Sequence, residues 1–398
     1  MVASSSVNIP TATTAPTATP VSTQVISPMQ TPASISTAPV IASASPPVDN
    51  LKDQIINKIA ALRDHLTGSR AIIILVVVYA IIMVAYFLSE TYRVESVYSE
   101  LDKYRDYLVI DGKYLNTSER KHMKLKEFYV ASSFRPYMAK NQLLDYCSKK
   151  LLQKVIISGA RFLYIDIFNS NLSENSRPVI SSGYENGNWK LTLNTIDFEE
   201  FCRVISVTAF SSGYVNNYND PLILALNLKT NHNFITLNRI QETLIKYFKP
   251  RLLSSKYSNQ KVNMADVEMR HLMGKIIIMT SGGYEDSTLE ELINMSWDKD
   301  VLNKIPYNAL GDPEQSNADD TTEVLRLNFA DIKDENTKNL TIVTPSENSF
   351  FTFNYPPEYY FRSGCQFICM NYQKVDKNMS EYISKFKTSS FVEKPTNL

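Results

Sequence analysis

The sequence predicts an α/β protein: a (β/α)8 TIM barrel preceded by a single transmembrane helix and a disordered N-terminal tail. From about residue 126 to residue 398, short apolar segments alternate with helical ones, as in a parallel sheet. That length, roughly 270 residues, is common for a closed eight-stranded barrel. An uncharged apolar run precedes this region, and a Ser/Thr/Pro-rich stretch precedes the run. An open doubly wound sheet is the alternative from the pattern alone, but the chain lacks its Gly-rich phosphate turn.

The first 50 residues are expected to be disordered. Residues 1–49 are mostly Ser, Thr, Ala, Pro and Val, with Asp49 as the one charged side chain and no aromatic residue. Such a segment buries too little surface to offset its ordering entropy. A flexible spacer and a partner-binding or O-glycosylated tail both fit this composition.

Residues 51–70 have the pattern of an amphipathic helix. Apolar side chains recur every three or four positions, at Leu51, Ile55, Ile56, Ile59, Leu62 and Leu66. The other face carries Lys52, Lys58 and Arg63. A helix lying on a membrane and the start of a helical stalk both remain open.

A membrane span is predicted over residues 71–89. The run 71–88 has 18 uncharged residues, and with Ser89 it is just long enough to cross ~30 Å of hydrocarbon as a helix. No small-residue cleavage site follows it, which argues against a signal peptide. More basic residues precede the span than follow it closely, which favours a cytoplasmic N-terminus and a barrel on the opposite side. Five Asn-x-Ser/Thr sequons lie beyond the span and agree with this orientation: Asn116, Asn171, Asn294, Asn339 and Asn378.

After the span, residues 90–125 are charged and Tyr-rich and predict a helical stalk. The barrel follows over 126–398. Its expected strands include 127–131, 160–167, 222–228, 275–280, 340–343 and 365–372. Its expected helices include 141–157 and 237–248. The acidic stretch 311–323 is typical of a solvated loop.

The charge balance and the cysteine spacing argue against some classes of function. Lys+Arg and Asp+Glu both number 41, so there is no basic surplus of the kind that nucleic-acid binding requires. We therefore expect no nucleic-acid partner. The four cysteines lack Cys-x-x-Cys spacing and are expected to lie in the core: Cys147, Cys202, Cys365 and Cys369.

A series of motifs runs through residues 126–398. The first half, about 126–285, contains Ser132-Ser133-Phe134-Arg135 and the segments 159–166, 178–183, 191–201, 221–227 and 274–278. The second half, about 286–398, contains the segments 354–366, 370–373 and 391–395. In type and order these segments resemble the X and Y halves of the phosphoinositide-specific phospholipase C catalytic barrel. The resemblance implies a TIM barrel of the PLC-like phosphodiesterase type.

The catalytic residues that this resemblance implies are replaced. The family's two catalytic histidines fall on Phe134 and Ser182. Phenylalanine has no titratable proton, and a serine hydroxyl cannot serve as the acid near neutral pH. The four histidines of the chain lie outside the matching motifs: His65, His122, His232 and His271.

The implied calcium site is replaced as well. The family's Asn, Glu, Asp and Glu ligands fall on Arg135, Tyr164, Asp166 and Asn227, so Asp166 alone keeps a carboxylate. Arg135 and Asp166 could form a salt bridge in the vacated metal site, or each could pair elsewhere. We expect no cofactor if the barrel is inactive, and calcium if it is active.

The implied substrate positions are also mostly lost. The family's phosphate-binding lysines fall on Met279 and Ser281, and its later phosphate-binding arginine falls near Ser349. Tyr355 matches a ring-stacking tyrosine and is retained.

Three functions fit these observations. The leading hypothesis is a membrane-anchored, catalytically inactive barrel that binds lipid headgroups, such as those of phosphoinositides, or a protein. One alternative is an active phosphoric diester hydrolase rebuilt from His232 or His271, with Asp166 or Asp220 as base. The other is a structural surface or virion membrane protein whose N-terminal tail binds a partner.

Overall fold

The computed structural model describes residues 49–65, 69–258, 261–298, 302–307 and 329–396. Nearly all of the predicted disordered tail and the whole acidic stretch 311–323 lie outside these residues. The C-terminal part of one long helix and the barrel that follows it form one compact unit, which begins at Val76.

The helices and strands of the described residues follow one another in a mixed α/β order. The α-helices are α1 Asp49–His65, α2 Ser69–Asp102, α3 Lys149–Ile157, α4 Phe198–Thr208, α5 Phe234–Phe248, α6 Met269–Leu272, α7 Phe329–Lys338, α8 Glu358–Arg362 and α9 Lys377–Lys385. The strands are β1 Phe128–Val130, β2 Ser132–Phe134, β3 Phe162–Asn169, β4 Pro178–Ile180, β5 Gly183–Tyr184, β6 Trp189–Lys190, β7 Ile196–Asp197, β8 Leu222–Lys229, β9 Ile276–Thr280, β10 Met295–Ser296, β11 Leu302–Pro306, β12 Leu340–Thr344, β13 Phe367–Met370 and β14 Phe391–Glu393.

Eight parallel strands form a nearly closed barrel. They pair in the order β10-β9-β8-β3-β2-β13-β12-β11, so each barrel strand except β10 pairs with the barrel strand that follows it along the chain. The ladder closes from the last strand to the first through β13 and β2, and it is open between β10 and β11 among the described residues. This arrangement confirms the predicted (β/α)8 barrel.

Successive side chains of each barrel strand belong alternately to two hydrophobic layers, one inside the barrel and one outside it. Side chains such as Phe162, Ile223 and Ile277 point into the barrel and form the inner core. Their neighbours on the same strands, such as Leu163 and Leu224, pack outward against the surrounding helices. Since successive side chains of a strand point to opposite faces, the same alternation decides which polar residues reach the barrel interior at the mouth.

The barrel begins one strand later than the sequence predicts. Residues 127–131 were expected to form its first strand. Instead β1 pairs antiparallel with β14 outside the barrel, and β2 supplies the first barrel strand. The predicted helix 141–157 is shorter than expected, because it begins only at Lys149 after the capping residue Ser148. All four cysteines are buried, as predicted.

Helix α2 runs from the predicted span onto the side of the barrel. The stretch Arg70–Tyr107 is the one segment of the described residues that is long and apolar enough to cross a membrane, judged by length and composition. In the second half of this stretch, after the apolar run 71–88, Val94, Val97 and Leu101 are buried against the barrel. The helix ends at Asp102, so the predicted helical stalk over residues 90–125 is wrong beyond that residue. Residues 103–125 form short 3-10 turns that pack on the barrel, with Leu115 fully buried.

Candidate functional site

The candidate site lies at the mouth of the barrel, where the carboxyl ends of the parallel strands meet. β2 ends with Phe134, which is the register partner of Tyr164 on β3. Their rings stack with centroids 5.1 Å apart, and Tyr164 stacks in turn on Trp297 at 5.7 Å. Phe134 is fully buried. An aromatic stack therefore fills the position where the resemblance expects a catalytic histidine.

The second expected histidine position is also closed. Ser182 is fully buried, and its Oγ donates a 2.7 Å hydrogen bond to the carbonyl oxygen of Gln142. The hydroxyl of Tyr137 donates to the adjacent carbonyl of Ser181 at 2.7 Å. The Ser182 hydroxyl thus serves to hold the loop after β2.

Arg135 and Asp166 form a buried ion pair. Asp166 lies on β3, two residues beyond Tyr164, so it faces the same side of the strand. The Nη2 and Nε atoms of Arg135 lie 2.6 and 2.9 Å from Oδ2 of Asp166, and neither side chain is exposed. Asn227 is the register partner of Asp166, and its Nδ2 donates to the other oxygen, Oδ1, at 2.8 Å. Of the two pairings left open by the sequence, the salt bridge between Arg135 and Asp166 is the one that forms.

The sequence did not single out Glu347, which enters the mouth from the loop after β12. Its Oε1 accepts a 2.7 Å hydrogen bond from the hydroxyl of Tyr164 and forms an ion pair with Lys304 on β11. Its Oε2 lies 3.0 Å from Nζ of Lys229 and accepts from Nδ2 of Asn227 at 3.2 Å. Lys229 could have been inferred, because it follows Asn227 at the two-residue spacing of one strand face. Glu347 lies in an irregular loop, where no periodicity marks it.

The electrostatics of the cluster favour charge on Glu347. Burial alone would raise the pKa of its carboxyl, but attraction by Lys304, Lys229 and Arg135 outweighs burial and holds this pKa well below its usual range. Burial, followed by the charges of Glu347 and Asp166, raises the pKa of Tyr164 well above its usual value. Tyr164 is therefore a neutral donor to the carboxylate at physiological pH.

A calcium ion does not fit the residues at this position. Calcium takes six to eight oxygen ligands, and carboxylates supply much of its affinity. Asp166 is already engaged by the guanidinium of Arg135, and Lys229 lies 3.8 Å from the same oxygen. Three cationic side chains in contact with two carboxylates oppose a divalent cation.

The expected phosphate positions are dispersed. Met279 is buried in the inner core, and the Oγ of Ser281 accepts a hydrogen bond from the backbone N–H of Leu228 at 2.9 Å. Ser349 and Tyr355 line a cavity of about 230 Å³ beside the Glu347 loop. The ring of Tyr355 lies 4.6 Å from that of Tyr307, so it packs on its own chain.

The described residues bring no histidine to Asp166. His232 follows β8 at the mouth, but it is exposed and its ring lies 4.8 Å from that of Phe234. His271 lies in α6, which precedes β9 and therefore lies at the amino ends of the strands. Asp220 precedes β8 at that same end, away from the mouth. The residues considered for a rebuilt active site thus lie apart.

Asp220 has a further property, because its carboxyl is buried. Burial, only partly offset by the nearby charge of Arg161, raises the pKa of Asp220 to about 7. Between pH 4 and 7 the folded chain then holds a proton that the unfolded chain has lost, so the free energy of unfolding falls as pH rises through this range.

Replacing Asp220 with asparagine is expected to remove this dependence. The stability of Asp220→Asn relative to wild type should rise between pH 4 and 7 by at most roughly 4 kcal/mol. Urea unfolding at several pH values measures the difference. The same change at exposed Asp106 is the control. A constant difference between wild type and Asp220→Asn across this range would contradict the prediction.

The chain is similar to one enzyme family over both halves of the barrel. The family model described as "Phosphatidylinositol-specific phospholipase C, X domain" matches residues 122–281, and the corresponding Y-domain model matches residues 314–397. Together they cover more than half of the chain. No match was found among the curated proteins.

Solved structures of PLC21 from two organisms are similar in fold. PLC21 of L. pealei is 18% identical, with 69% of this chain and 38% of that chain covered and a TM-score of 0.54. PLC21 of S. officinalis is also 18% identical, with 69% and 37% covered and a TM-score of 0.55. The chain spans less than two fifths of the length of each, and at this identity the likeness shows the fold alone.

Proposed function

The chain belongs to the phosphatidylinositol-specific phospholipase C family, and from this premise we propose that it is a membrane-anchored, catalytically inactive member whose barrel binds lipid headgroups or a protein. The observation that carries the proposal is the ion-pair cluster at the mouth. Arg135 and Asp166 occupy the implied metal position, and Glu347 closes it from above. A site in which every charged group is paired within the chain has no free acid, base or metal ligand for phosphodiester cleavage.

The position of helix α2 supports a mouth that faces the bilayer. Tyr86, near the end of the apolar run, packs its ring 5.4 Å from that of Tyr146 and donates to the carbonyl of Leu193 at 3.2 Å. About two turns further on, Arg93 forms a 2.8 Å ion pair with Asp145. Because these partners lie in loops at the mouth, the apolar part of α2 from Val76 onward leaves the barrel on that side.

Exposed aromatic side chains lie on the same side. Phe351 and Phe353 belong to the Glu347 loop and are 61% and 55% exposed. Trp189 on the hairpin of β5 and β6 is 65% exposed. Aromatic residues favour the boundary between water and lipid. These side chains are suited to meet the headgroup layer next to the span.

The remaining parts of the proposal follow from the sequence. The basic residues before the span support a cytoplasmic N-terminus, with the barrel on the other side of the membrane. The Ser/Thr/Pro-rich residues 1–50 are available for a protein partner on the N-terminal side.

We expect the full chain to show no phospholipase C turnover. Each positioned acid or base contributes about 10²–10⁴-fold to such a reaction, and a metal ion contributes several kcal/mol more. A chain without them should stay at the background rate. The measurement is inositol phosphate release from phosphatidylinositol, with the full chain in detergent micelles and either calcium or a chelator present.

The outcomes separate the alternatives. Calcium-dependent release that the chelator abolishes would show that the barrel is an enzyme and would overturn the proposal. Release that also survives with Asp166→Asn would point to a contaminant. Background release together with binding of the chain to headgroup-bearing bilayers would agree with a binding role.

A further inference from the structure

The charged cluster at the mouth contains more cations than carboxylates. It contains the cations Arg135, Lys229 and Lys304 and the carboxylates Asp166 and Glu347, which gives a net charge of +1. Asp166 is committed to Arg135, which contacts it through two nitrogen atoms. Lys229 and Lys304 therefore both have Glu347 as their nearer carboxylate, with Nζ of Lys229 3.0 Å from Glu347 and 3.8 Å from Asp166.

The groups that bind Glu347 belong to the barrel, whereas Glu347 does not. Tyr164, Asn227, Lys229 and Lys304 lie on β3, β8 and β11, and all four donate to its two oxygens. Their positions are set by the strand ladder and not by the carboxylate. They form a cradle of donors that is already in place for an anion.

Glu347 lies on a loop, whereas the donors to its carboxylate lie on strands. This loop is the irregular one between β12 and α8, and the Glu347 side chain is 22% exposed, like that of Lys304 at 23%, whereas Lys229 is almost completely buried. The cavity of about 230 Å³ beside this loop provides space into which the loop can shift. Rotation of the Glu347 side chain toward solvent would open the cradle without disturbing the barrel.

We propose that this cradle is a binding site for a phosphate monoester and that Glu347 is a built-in substitute which the ligand displaces. The inference rests on the proposed inactive, binding role of the barrel and names the ligand class of that site. Without Glu347 the cluster has a charge of +2, from three cations and Asp166. A phosphate monoester carries about −1.5 to −2 at pH 7 and has three acceptor oxygens, so it balances this charge and uses all of the donors. A phosphodiester carries a single negative charge and leaves one cation unbalanced.

Trp297 provides a local probe for the test. Its ring stacks on Tyr164, and Nζ of Lys304 lies 5.6 Å from its centroid, so release of Glu347 changes its surroundings. The chain has two tryptophans. Trp189→Phe leaves Trp297 alone, and this background is used for the full chain in detergent micelles or nanodiscs.

The experiment titrates soluble and lipid forms of the same chemistry. Glycerol 3-phosphate is the soluble monoester and glycerophosphoinositol the soluble diester. Nanodiscs with phosphatidylinositol 4-phosphate or with phosphatidylinositol are the lipid pair. We expect the monoester member of each pair to bind at least about tenfold more tightly than the diester. A response to the soluble monoester alone, or to the lipid alone, identifies the source and supports the same chemistry.

Three variants make the test specific. Glu347→Gln keeps the shape but removes the competing charge, so it should bind the monoester at least about tenfold more tightly than wild type. Lys304→Gln should weaken binding by a similar factor. Glu185→Gln makes the same change on an exposed residue near the mouth, outside the cluster, and should bind like wild type.

Two results would overturn the inference. One is a Glu347→Gln variant with wild-type near-UV circular dichroism that binds the monoester no better than wild type. The other is equal affinity for monoester and diester. Either result, with phosphatidylinositol turnover still at background, removes this inference and leaves the proposed inactive role in place. Turnover above background removes the proposed role itself.

Discussion

Replacing Asp166 with alanine is expected to lower the free energy of unfolding by about 3–5 kcal/mol, because it leaves a fully buried guanidinium without its counter-ion. Arg135 and Asp166 both have no exposed side-chain surface, and Arg135 contacts the carboxylate through Nε and Nη2. The variant also removes one of the two acceptors of Nδ2 of Asn227, which donates to Asp166 and to Glu347. Urea unfolding of the full chain in detergent, followed by circular dichroism, measures the change.

Two comparisons establish the cause of that loss. The ion pair of Asp334 with Lys338 is exposed on α7, so Asp334→Ala should change stability by less than about 1 kcal/mol. The double variant Arg135→Met/Asp166→Leu removes both charges, and it should recover most of the loss, since apolar side chains of similar volume often replace a buried ion pair. If the double variant is as unstable as Asp166→Ala, the buried charge is not the cause.

Placing two aspartates in the apolar run is expected to detach the chain from membranes. Val78 and Ile82 lie near the middle of residues 71–88 and are exposed on α2. Each charged side chain at the centre of a span costs about 2.5–3.5 kcal/mol of insertion free energy. Val78→Asp/Ile82→Asp should therefore appear in the soluble fraction after alkaline extraction, whereas wild type stays with the membrane pellet.

The matched control keeps the span apolar. Val78→Leu/Ile82→Leu should remain in the pellet. In sealed vesicles, protease added on the side of the membrane opposite the N-terminus should digest the barrel of this control. Protease added on the side of the N-terminus should leave the barrel intact, if the proposed orientation holds. A double-aspartate variant that still pellets with membranes would mean that the chain is held there by another part.

The fold was predictable because it depends on patterns that extend over many residues. Strand β8 could be placed from its apolar residues alone, and β3 and β9 to within two residues. The predicted helical stalk extends too far. The composition of the Tyr-rich residues after Asp102 is compatible with a helix, but these residues form turns against the barrel. Strands β10 and β11 are too short and too polar to show a period before the structure is known.

The site was predictable only where it lies on strands. The replacement of the family's two histidines by Phe134 and Ser182 comes from the sequence motifs alone and stays a prediction. Asp166 and Asn227 meet because of strand register, and that pairing follows once the barrel is accepted. Glu347 could not be inferred, since the path of an irregular loop is set by tertiary contacts such as the bond from Gln142 N–H to the carbonyl of Phe350.

Helix α2 contains neither proline nor glycine between Ser69 and Asp102, so it has no residue of the kind that produces a sharp bend. A rigid helix responds to a thinner bilayer by tilting. Since residues from Tyr86 to Leu101 are clamped to the barrel, the barrel must tilt by the same angle. In a chain anchored as proposed, membrane thickness would thereby set the angle at which the mouth meets the lipid surface. Local bilayer composition could thus govern which headgroups the barrel reaches, without any ligand binding to the helix.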